Sequence, residues 1–480
     1  MRLRSVTRRA CAWLRLPAEI RLMILEIVAA QKHRGWASLA SVCREWQHVL
    51  EKVNFRKVKL RASCLDGFES IISPQKRELI HHICLNVELP RCRGKCCVKV
   101  RPPPVALGPL LRDAISKLFS ILSLWGPMEN LALELNVYST SDREHWFKNI
   151  YLSSDNVEDG TETEPDVCIE PLYHDPKYGW MHGRQFRAPP KTAIERLFGS
   201  IPLNFDEELP PVQAVTSFII RRQLRRYIPP FGFAHMMEKF HRLEHILYEP
   251  WAPSTSWTRY FHDRDTLNSL TIFEDSYEFY DRFPRRRVPD YMLDMDVPSR
   301  AIGRDFASKS LSLQHFAISF MVNAEDVFRA CHSTWCWQHL QSLALTSELL
   351  QANGEKRDWI EVLLCRAGDL AQQMPKIHTF VLWNGGKGNA CAFVYRIVQG
   401  RGSVTWRGTW LLKLSPRVIE SWQLANSKLR VSRPELQLKQ EQIQATIRSP
   451  GDAIYHLKLP CQVIEPASLW QIRREACIGE

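Results

Sequence analysis

The side chains with catalytic potential are scattered along the chain and form no strong signature. The sequence contains no His-Glu-x-x-His motif, no Gly-x-Ser-x-Gly motif and no Walker loop. The nearest phosphate-cradle candidate, Asn384-Gly385-Gly386-Lys387-Gly388-Asn389, lacks the Lys-Ser/Thr pair of a P-loop and favours a structural turn. His262-Asp263-Arg264-Asp265 places an imidazole beside carboxylates, as general base catalysis requires, but no nucleophile lies nearby in sequence. The sequence therefore predicts no catalytic residue, with a hydrolase or transferase as an alternative.

Six Cys and His residues form the best metal candidate in the sequence. They are Cys84, Cys92, Cys96, Cys97, His81 and His82. Zinc prefers four nitrogen or sulfur ligands in close pairs, and Cys92-x-x-x-Cys96 offers one such pair. The 14 Cys residues of the chain are spread from Cys11 to Cys477, which is typical of reduced thiols in a cytoplasmic or nuclear protein. Free structural thiols are therefore expected rather than zinc, and no cofactor is predicted.

A run of arginines is the best nucleic-acid candidate. The formal net charge is +12, and Ile219 to Tyr227 is predicted as a helix carrying Arg221, Arg222, Arg225 and Arg226. Because no aromatic residues surround these arginines for base stacking, a solvated helix face or pairing with an acidic loop is favoured. Arg285-Arg286-Arg287 is a second basic run, with nuclear import as an alternative use. Nucleic acid is thus a secondary expectation.

The N-terminal charge and the apolar runs bear on localisation. Residues 1–60 contain 13 Lys or Arg and four acids, and residues 1–17 are rich in arginine with no acid before Glu19, so a mitochondrial presequence is a minor alternative. The longest apolar run, Leu22 to Ala30, is interrupted by Glu26 and is shorter than the ~20 residues of a membrane span. We expect a cytoplasmic or nuclear protein, or one found in both, without membrane association.

Residues 10–58 are predicted to form a small helical module. Leu16-Pro17-Ala18-Glu19 begins a helix, with proline in the first turn and an acid where the helix dipole favours it. After Gly35, a second stripe runs from Trp36 through Leu39, Val42 and Cys43 to Trp46. Two short amphipathic helices bury little by themselves, so this module is expected to need a protein surface to pack against.

Residues 59–385 are predicted to form a body of alternating strands and helices. Of seven short strand-like runs, most share the form apolar-x-x-apolar-x-apolar, and several follow a helical stretch. These runs are 82–89, 131–135, 243–248, 267–272, 313–318, 340–345 and 377–382. The pattern is typical of an irregular leucine-rich repeat, although the 112-residue gap after Leu131 and the missing asparagine ladder leave a non-repetitive α/β layered domain as the alternative.

Two loops and a C-terminal cap complete the prediction. Residues 139–192 are polar and acidic and are expected to be a mobile excursion, and residues 281–310 form a second loop. In residues 386–480 we expect two strands joined at Gln399-Gly400-Arg401-Gly402, then helices near 416–425 and 466–476. The predicted fold class is α/β, with a helical module, a layered body and a small α+β cap.

The N-terminal module resembles an F-box. The residues that carry the resemblance are Leu16-Pro17-Ala18-Glu19-Ile20, Ile24-Leu25, Leu39, Val42-Cys43-Arg44 and Trp46. The family pattern is a leucine-proline start, an acidic first turn, an apolar helix, and then leucine, valine, cysteine, a basic residue and tryptophan. The sequence departs from that pattern between Gln31 and Gly35, where the link is more polar than usual.

The rest of the chain resembles filamentous-fungal F-box proteins with an ill-characterised C-terminal region. The segments concerned are 337–347, Met374-Pro375, 382–385 and 469–473. The F-box resemblance implies a substrate-recognition subunit of a cullin-RING ubiquitin ligase that binds a Skp-type adaptor and an unknown protein target. The implied adaptor-binding residues are Leu16, Pro17, Ile20, Ile24, Leu39, Val42, Cys43 and Trp46. The alternative for this module is a helical hairpin that packs against the predicted repeats of the same chain rather than against a partner.

Overall fold

The computed structural model describes residues 12–31, 36–91, 107–150, 173–251, 266–274, 299–352, 354–429 and 433–478. Its helices are α1 Ala18–Gln31, α2 Arg44–Arg56, α3 Leu65–Ile71, α4 Pro74–Arg77, α5 Gly108–Ser123, α6 Lys191–Phe198, α7 Pro230–Glu238, α8 Ser299–Ser310, α9 Ala324–Ala330, α10 Arg357–Ala371, α11 Pro416–Lys428, α12 Pro450–Leu457 and α13 Pro466–Ile478. The alternation of these helices with strands confirms the predicted α/β class. None of the described helices is long and apolar enough to cross a membrane.

A single 12-stranded sheet runs through the described chain. Its strands are β1 Lys57–Arg61, β2 His82–Glu88, β3 Ala132–Tyr138, β6 Ser217–Ile220, β7 His245–Tyr248, β8 Ser269–Phe273, β9 His315–Ser319, β10 Ser342–Thr346, β11 Thr379–Gly386, β12 Asn389–Val398, β13 Arg401–Gly408 and β14 Arg433–Gln442. A separate hairpin pairs β4 Trp180–Met181 with β5 Arg184–Gln185. All seven predicted strand runs are confirmed. Sequence patterning missed β1, β6 and β14 of the large sheet.

Neighbouring strands of the large sheet follow chain order. From β1 to β11, without the hairpin strands β4 and β5, each strand is parallel to its neighbour. β12 and β13 pair antiparallel, and β14 returns parallel to β13. Crossovers between parallel strands require long connections, and seven helices between α3 and α11 contribute to the main core beside the strands. Those helices are α3, α5, α7, α8, α9, α10 and α11. The main core therefore lies between one sheet face and a layer of helices.

The second face of the sheet is apolar and covered by helices in one part and carries polar side chains in another. In β9, Phe316 and Ile318 enter the main core, whereas Ala317 between them points to the other face, as strand alternation requires. Over β8 to β12 that other face is covered by α12 and α13. Over β2 and β3 the same face carries His82, Cys84 and Glu134, which are polar. The C-terminal helices therefore close only part of this face.

A ladder of polar side chains precedes the strands at the amino edge of the sheet. Asn268 Nδ2 lies 3.4 Å from Glu244 Oε2, Gln314 Nε2 lies 3.3 Å from Asn268 Oδ1, and Gln341 Nε2 lies 3.3 Å from Gln314 Oε1. The backbone N–H groups of Gln314 and His315 also donate to the carbonyl of Asn268, and those of His378 and Thr379 donate to that of Gln341. This ladder consists of mixed amides and one carboxylate, so it is not the asparagine ladder of regular repeats, which was predicted to be missing.

The predicted mobile loop at 139–192 is packed in its described parts. Trp146 and Phe147 are buried with Trp180 in a second apolar cluster, to which α6 contributes Ile194 and Leu197. Aromatic residues supply this burial in a segment that is polar and acidic overall, which is why composition alone indicated an unpacked loop. Residues 151–172 lie outside the described range. The second predicted loop, 281–310, is wrong at its C-terminal end, where Ser299–Ser310 forms α8, and residues 281–298 lie outside the described range.

The sheet continues without a break across residue 385, where the cap was expected to begin. β11 pairs with β12 from Thr379↔Arg396 to Gly386↔Asn389. The predicted hairpin is confirmed, and Gln399 and Gly400 at its turn have φ of 50° and 70°. α11 begins after Ser415, whose hydroxyl accepts from Val418 N at 3.4 Å. The C-terminal segment thus shares the sheet and the core of the body.

Candidate partner-docking surface

The predicted adaptor-binding residues lie on α1 and on the segment that leads into α2. Leu16 and Pro17 directly precede α1, which ends at Gln31. The predicted second helix is divided into a 3₁₀ turn, Trp36–Ser41, and α2, with Val42 and Cys43 between them. Leu25, Ala29 and Leu50 are fully buried, so α1 and α2 have a small interior of their own.

None of the eight predicted residues is fully buried. Pro17, Ile20, Val42 and Cys43 are exposed, and Leu16, Ile24, Leu39 and Trp46 are half-buried. Ile20 keeps 42% and Val42 59% of its surface accessible. The half-buried residues therefore contribute to the module's own packing, whereas the exposed ones are available to a partner.

Sequence reasoning missed two residues of the same surface. Met23 and Ile27 are 56% and 55% exposed, and with Ile20 they stand at i, i+3 and i+7 on one face of α1. The available signal was that α1 is apolar around most of its circumference, which is typical of a helix buried on several sides. This chain buries only Leu25 and Ala29 of it. We call the set Pro17, Ile20, Met23, Ile27, Val42 and Cys43 the docking face.

A polar clamp fixes α1 against α2 beside the docking face. Arg21 Nε donates to Glu45 Oε1 at 2.8 Å, and Trp13 Nε1 donates to Glu45 Oε2 at 3.0 Å. The Trp13 and Trp46 ring centroids lie 5.5 Å apart. The hydrogen bonds from Arg21 and Trp13 lower the pKa of Glu45. These contacts hold Trp46 within the module, and the clamp joins α1, which carries Ile20, Met23 and Ile27 of the docking face, to α2.

The predicted arginine helix is wrong. Residues 221–226 form a turn after β6, and all four arginines are buried. Phe218 and Ile220 of β6 enter the main core at the two-residue spacing of a strand, so the chain that leads into the arginines is extended rather than helical. The arginines consequently form neither a solvated face nor a basic nucleic-acid surface.

Carboxylates from distant parts of the chain neutralise the buried arginines. Arg221 Nε donates to Glu134 Oε1 at 2.6 Å, and Arg226 binds both oxygens of Asp142. Burial opposes ionisation of Glu134, but Arg221 and His82 outweigh it and lower its pKa to about 2. Asp142 lies in the predicted acidic loop 139–192, so the expected pairing of these arginines with an acidic loop holds for Arg226, whereas the partner of Arg221, Glu134, lies 87 residues away in β3.

The same turn anchors the C-terminal helix α13. Glu475 accepts from Arg222 Nη2 and Arg225 Nη2, both at 2.9 Å, and the Arg225 guanidinium stacks 3.6 Å from the Trp251 ring centroid. The buried Glu249, which follows β7, contacts the start of α13. Its carboxylate accepts from Glu465 N at 2.7 Å and from Ser468 Oγ at 2.5 Å. The turn after β6 therefore has a structural role.

Glu249 makes this anchor sensitive to pH. Burial and the nearby Glu465 raise the pKa of Glu249 from 4.5 to about 7, so folding favours its protonated form. The stabilisation by protonated Glu249 is complete when the pH is below the pKa of this group in the unfolded chain. It is lost as the pH rises through the pKa of the group in the folded protein. We expect the free energy of unfolding, relative to Glu249→Gln, to fall by about 3 kcal/mol between pH 4.5 and pH 8 in urea titrations. Parallel pH curves for the two proteins would contradict this assignment.

The remaining candidates do not form a site in the described residues. Cys84 is buried, which raises the pKa of its thiol, and no group of three or more Cys, His, Asp or Glu there could hold a metal ion. Cys92, Cys96 and Cys97, the tetrad 262–265 and the basic run 285–287 lie outside the described residues. The glycine-rich turn joins β11 to β12, with Lys387 and Gly388 between the strands, so a strand follows it rather than a helix.

Residues 262–465 match a family of unknown function, DUF6546. The match covers less than half of the chain, includes β8 through α12 and ends at Glu465, the residue before α13, and it excludes α1, α2 and the docking face. No curated protein matches the chain.

Proposed function

We propose that this protein is the substrate-recognition adaptor of a cullin-RING ubiquitin ligase and catalyses no reaction itself. The docking face binds the Skp-type adaptor, and the body presents a surface to a protein target in the cytoplasm, the nucleus or both. The observation that carries the proposal is α1, an apolar helix in a module that resembles an F-box, of which only Leu25 and Ala29 are buried. A helix whose apolar surface is left uncovered is suited to helix-in-groove recognition by a partner.

The body supports this role as a leucine-rich-repeat-like scaffold. Its parallel strands follow chain order with seven helices on one face and with α12 and α13 over part of the other, and the polar ladder recurs once per strand from Glu244 to Gln341. Stacked strand–helix units create extended surfaces that are typical of protein recognition. The nucleic-acid alternative is less well supported, because the arginines it required are buried and ion-paired.

Charging the docking face should abolish adaptor binding without unfolding the chain. We expect Ile20→Asp combined with Val42→Asp to reduce binding of a purified Skp-type adaptor by about a hundredfold or more, because two carboxylates would be desolvated at the interface. Both positions are exposed, so the free energy of unfolding should change by less than about 1 kcal/mol. Co-purification followed by calorimetric titration measures the affinity.

The control is Leu124→Asp, which places one such carboxylate on an exposed leucine after α5, outside the docking face. It should leave adaptor binding unchanged. Undiminished binding by the docking-face double variant would sink the proposal, and so would an equal loss of binding by the control.

A further inference from the structure

The large sheet ends in two edge strands, β1 and β14, which differ in length and charge. β1 has five residues, and its alternate positions Lys57, Lys59 and Arg61 are all cations. Two copies of β1 would place like charges opposite one another, which is a common way for a sheet to prevent edge-to-edge association. β14 has ten residues and carries charges of both signs. β14 is therefore the edge that can accept a further strand.

One side of β14 pairs with β13, and the other side pairs with no strand among the described residues. The register with β13 is regular over residues 437–442, and the next residue, Ile443, donates its N–H to the carbonyl of Gly408 at 2.8 Å. Successive residues of a strand direct their N–H and C=O groups to opposite sides. The backbone groups that point away from β13 are therefore those of Leu438, Gln440 and Gln442.

Exposed leucines lie beside this unpaired edge. Leu438 is the neighbour in the sheet of Val404, a residue of the main core, and yet 48% of its surface is accessible. Leu411 is 50% exposed and adjoins Leu412, whose carbonyl accepts from Gln440 Nε2 at 3.4 Å. Exposed apolar side chains next to a free strand edge are typical of a surface that another chain covers.

The charges of β14 are complementary to a second β14 strand in one antiparallel register. A two-fold axis at Gln440 makes the outward-pointing residues of both copies face each other and places Lys439 of each copy opposite Glu441 of the other. Moving the axis by one residue places either the two lysines or the two glutamates opposite each other. Lys439 is exposed and makes no ion pair with the described residues. Glu441 pairs with Arg407 at 3.0 Å but keeps 43% of its side chain exposed, so it can accept a second cation.

We propose that the free edge of β14 pairs with β14 of a second copy of this chain, in a two-fold dimer whose sheet is continuous across the interface. The Gln440 pair at the axis and the Leu438–Gln442 pairs beside it supply backbone hydrogen bonds, and the Lys439–Glu441 pairs fix the register. The contact is a self-complementary interface of small size, so we expect a dissociation constant of about 10 µM. The inference does not depend on adaptor binding, and each copy in the dimer carries its own docking face.

The test measures the mass of the full chain by sedimentation velocity at about 1 to 100 µM, where the native chain should pass from monomer to dimer. Lys439→Glu and Glu441→Lys each place like charges opposite one another, so each variant alone should dimerise about tenfold or more weakly. An equimolar mixture of the two variants restores the opposite-charge pairs and should dimerise like the native chain. Lys376→Glu makes the same change at an exposed lysine before β11 and should leave dimerisation unchanged.

A backbone variant tests the same edge without changing its charge. Gln440→Pro removes an N–H that points away from β13, so it should keep the pairing with β13, unfold in urea near the native midpoint and stay monomeric. The docking-face variant, Ile20→Asp with Val42→Asp, should dimerise like the native chain, which separates this inference from adaptor binding.

Four results would overturn the inference. The first is a native chain that is monomeric at about 100 µM, as expected if a strand of another protein covers β14. The second is an assembly larger than a dimer, as expected if β14 of one copy meets β1 of the next. The others are a mixture of the two charge variants that stays monomeric, and an unchanged dimer in Lys439→Glu or Gln440→Pro.

Discussion

Asp142→Asn is expected to lower the free energy of unfolding by about 3–5 kcal/mol. Asp142 and Arg226 keep only 1% and 4% of their side-chain surface exposed, and the guanidinium binds both carboxylate oxygens. Asp142 also accepts from Ser139 N at 2.7 Å. The substitution leaves a buried guanidinium without its counter-charge, and desolvation of that charge is no longer offset. Urea unfolding followed by circular dichroism measures the change.

Asp206→Asn is the matched control, because Asp206 also pairs with an arginine, Arg112, but is mostly exposed. Surface pairs contribute about 0–1 kcal/mol, so this variant should unfold close to the native midpoint. Asp142→Leu with Arg226→Met removes both charges and should be less destabilising than Asp142→Asn alone. A loss below about 1 kcal/mol in Asp142→Asn would show that the pair is not buried as described.

Trp422→Ala is expected to be comparably destabilising, by about 3–5 kcal/mol. Trp422 on α11 is fully buried and packs on Phe380 at 5.2 Å and on Phe393 at 5.0 Å between ring centroids. Its Nε1 donates to the carbonyl of Leu364 at 3.0 Å. The substitution removes a large ring and leaves a buried carbonyl without its donor, and the surrounding core collapses only in part.

This variant also tests whether the C-terminal segment unfolds with the body. Phe380 and Leu364 precede residue 386 and Trp422 follows it, so their contacts join the predicted body and cap. We expect one cooperative transition shifted to lower urea, with fluorescence and circular dichroism coincident. Trp359→Ala, an exposed tryptophan on α10, should shift the midpoint little. Two separate transitions in Trp422→Ala would show that the cap is an independent unit.

Much of the secondary structure could be predicted because its signals are local. The seven strand runs, the helices near 416–425 and 466–476, and the hairpin at Gln399-Gly400 are all present. Each depends on apolar spacing or turn residues within a few positions of one another. β6 was missed because it is four residues long and its apolar spacing also fits a helix.

The docking face could be predicted only in part. The sequence located Ile20 and Val42 by resemblance and spacing, but it could not separate half-buried Leu39 and Trp46 from exposed residues. That separation depends on the clamp between Arg21, Trp13 and Glu45, which acts across 24 and 32 positions of the chain. The separation also depends on which residues of α1 the rest of the chain covers, and Met23 and Ile27 stay exposed.

The sequence by itself determined the α/β alternation, the seven strands and the F-box resemblance at the N-terminus. Only the tertiary structure decided that Arg221 to Arg226 are buried, that α13 returns to the turn after β6, and that β14 lies at an edge of the large sheet. The physical reason is the separation along the chain of the groups that interact. Backbone periodicity is set by neighbours within a few residues, whereas desolvation and charge pairing depend on groups such as Arg222 and Glu475, 253 positions apart.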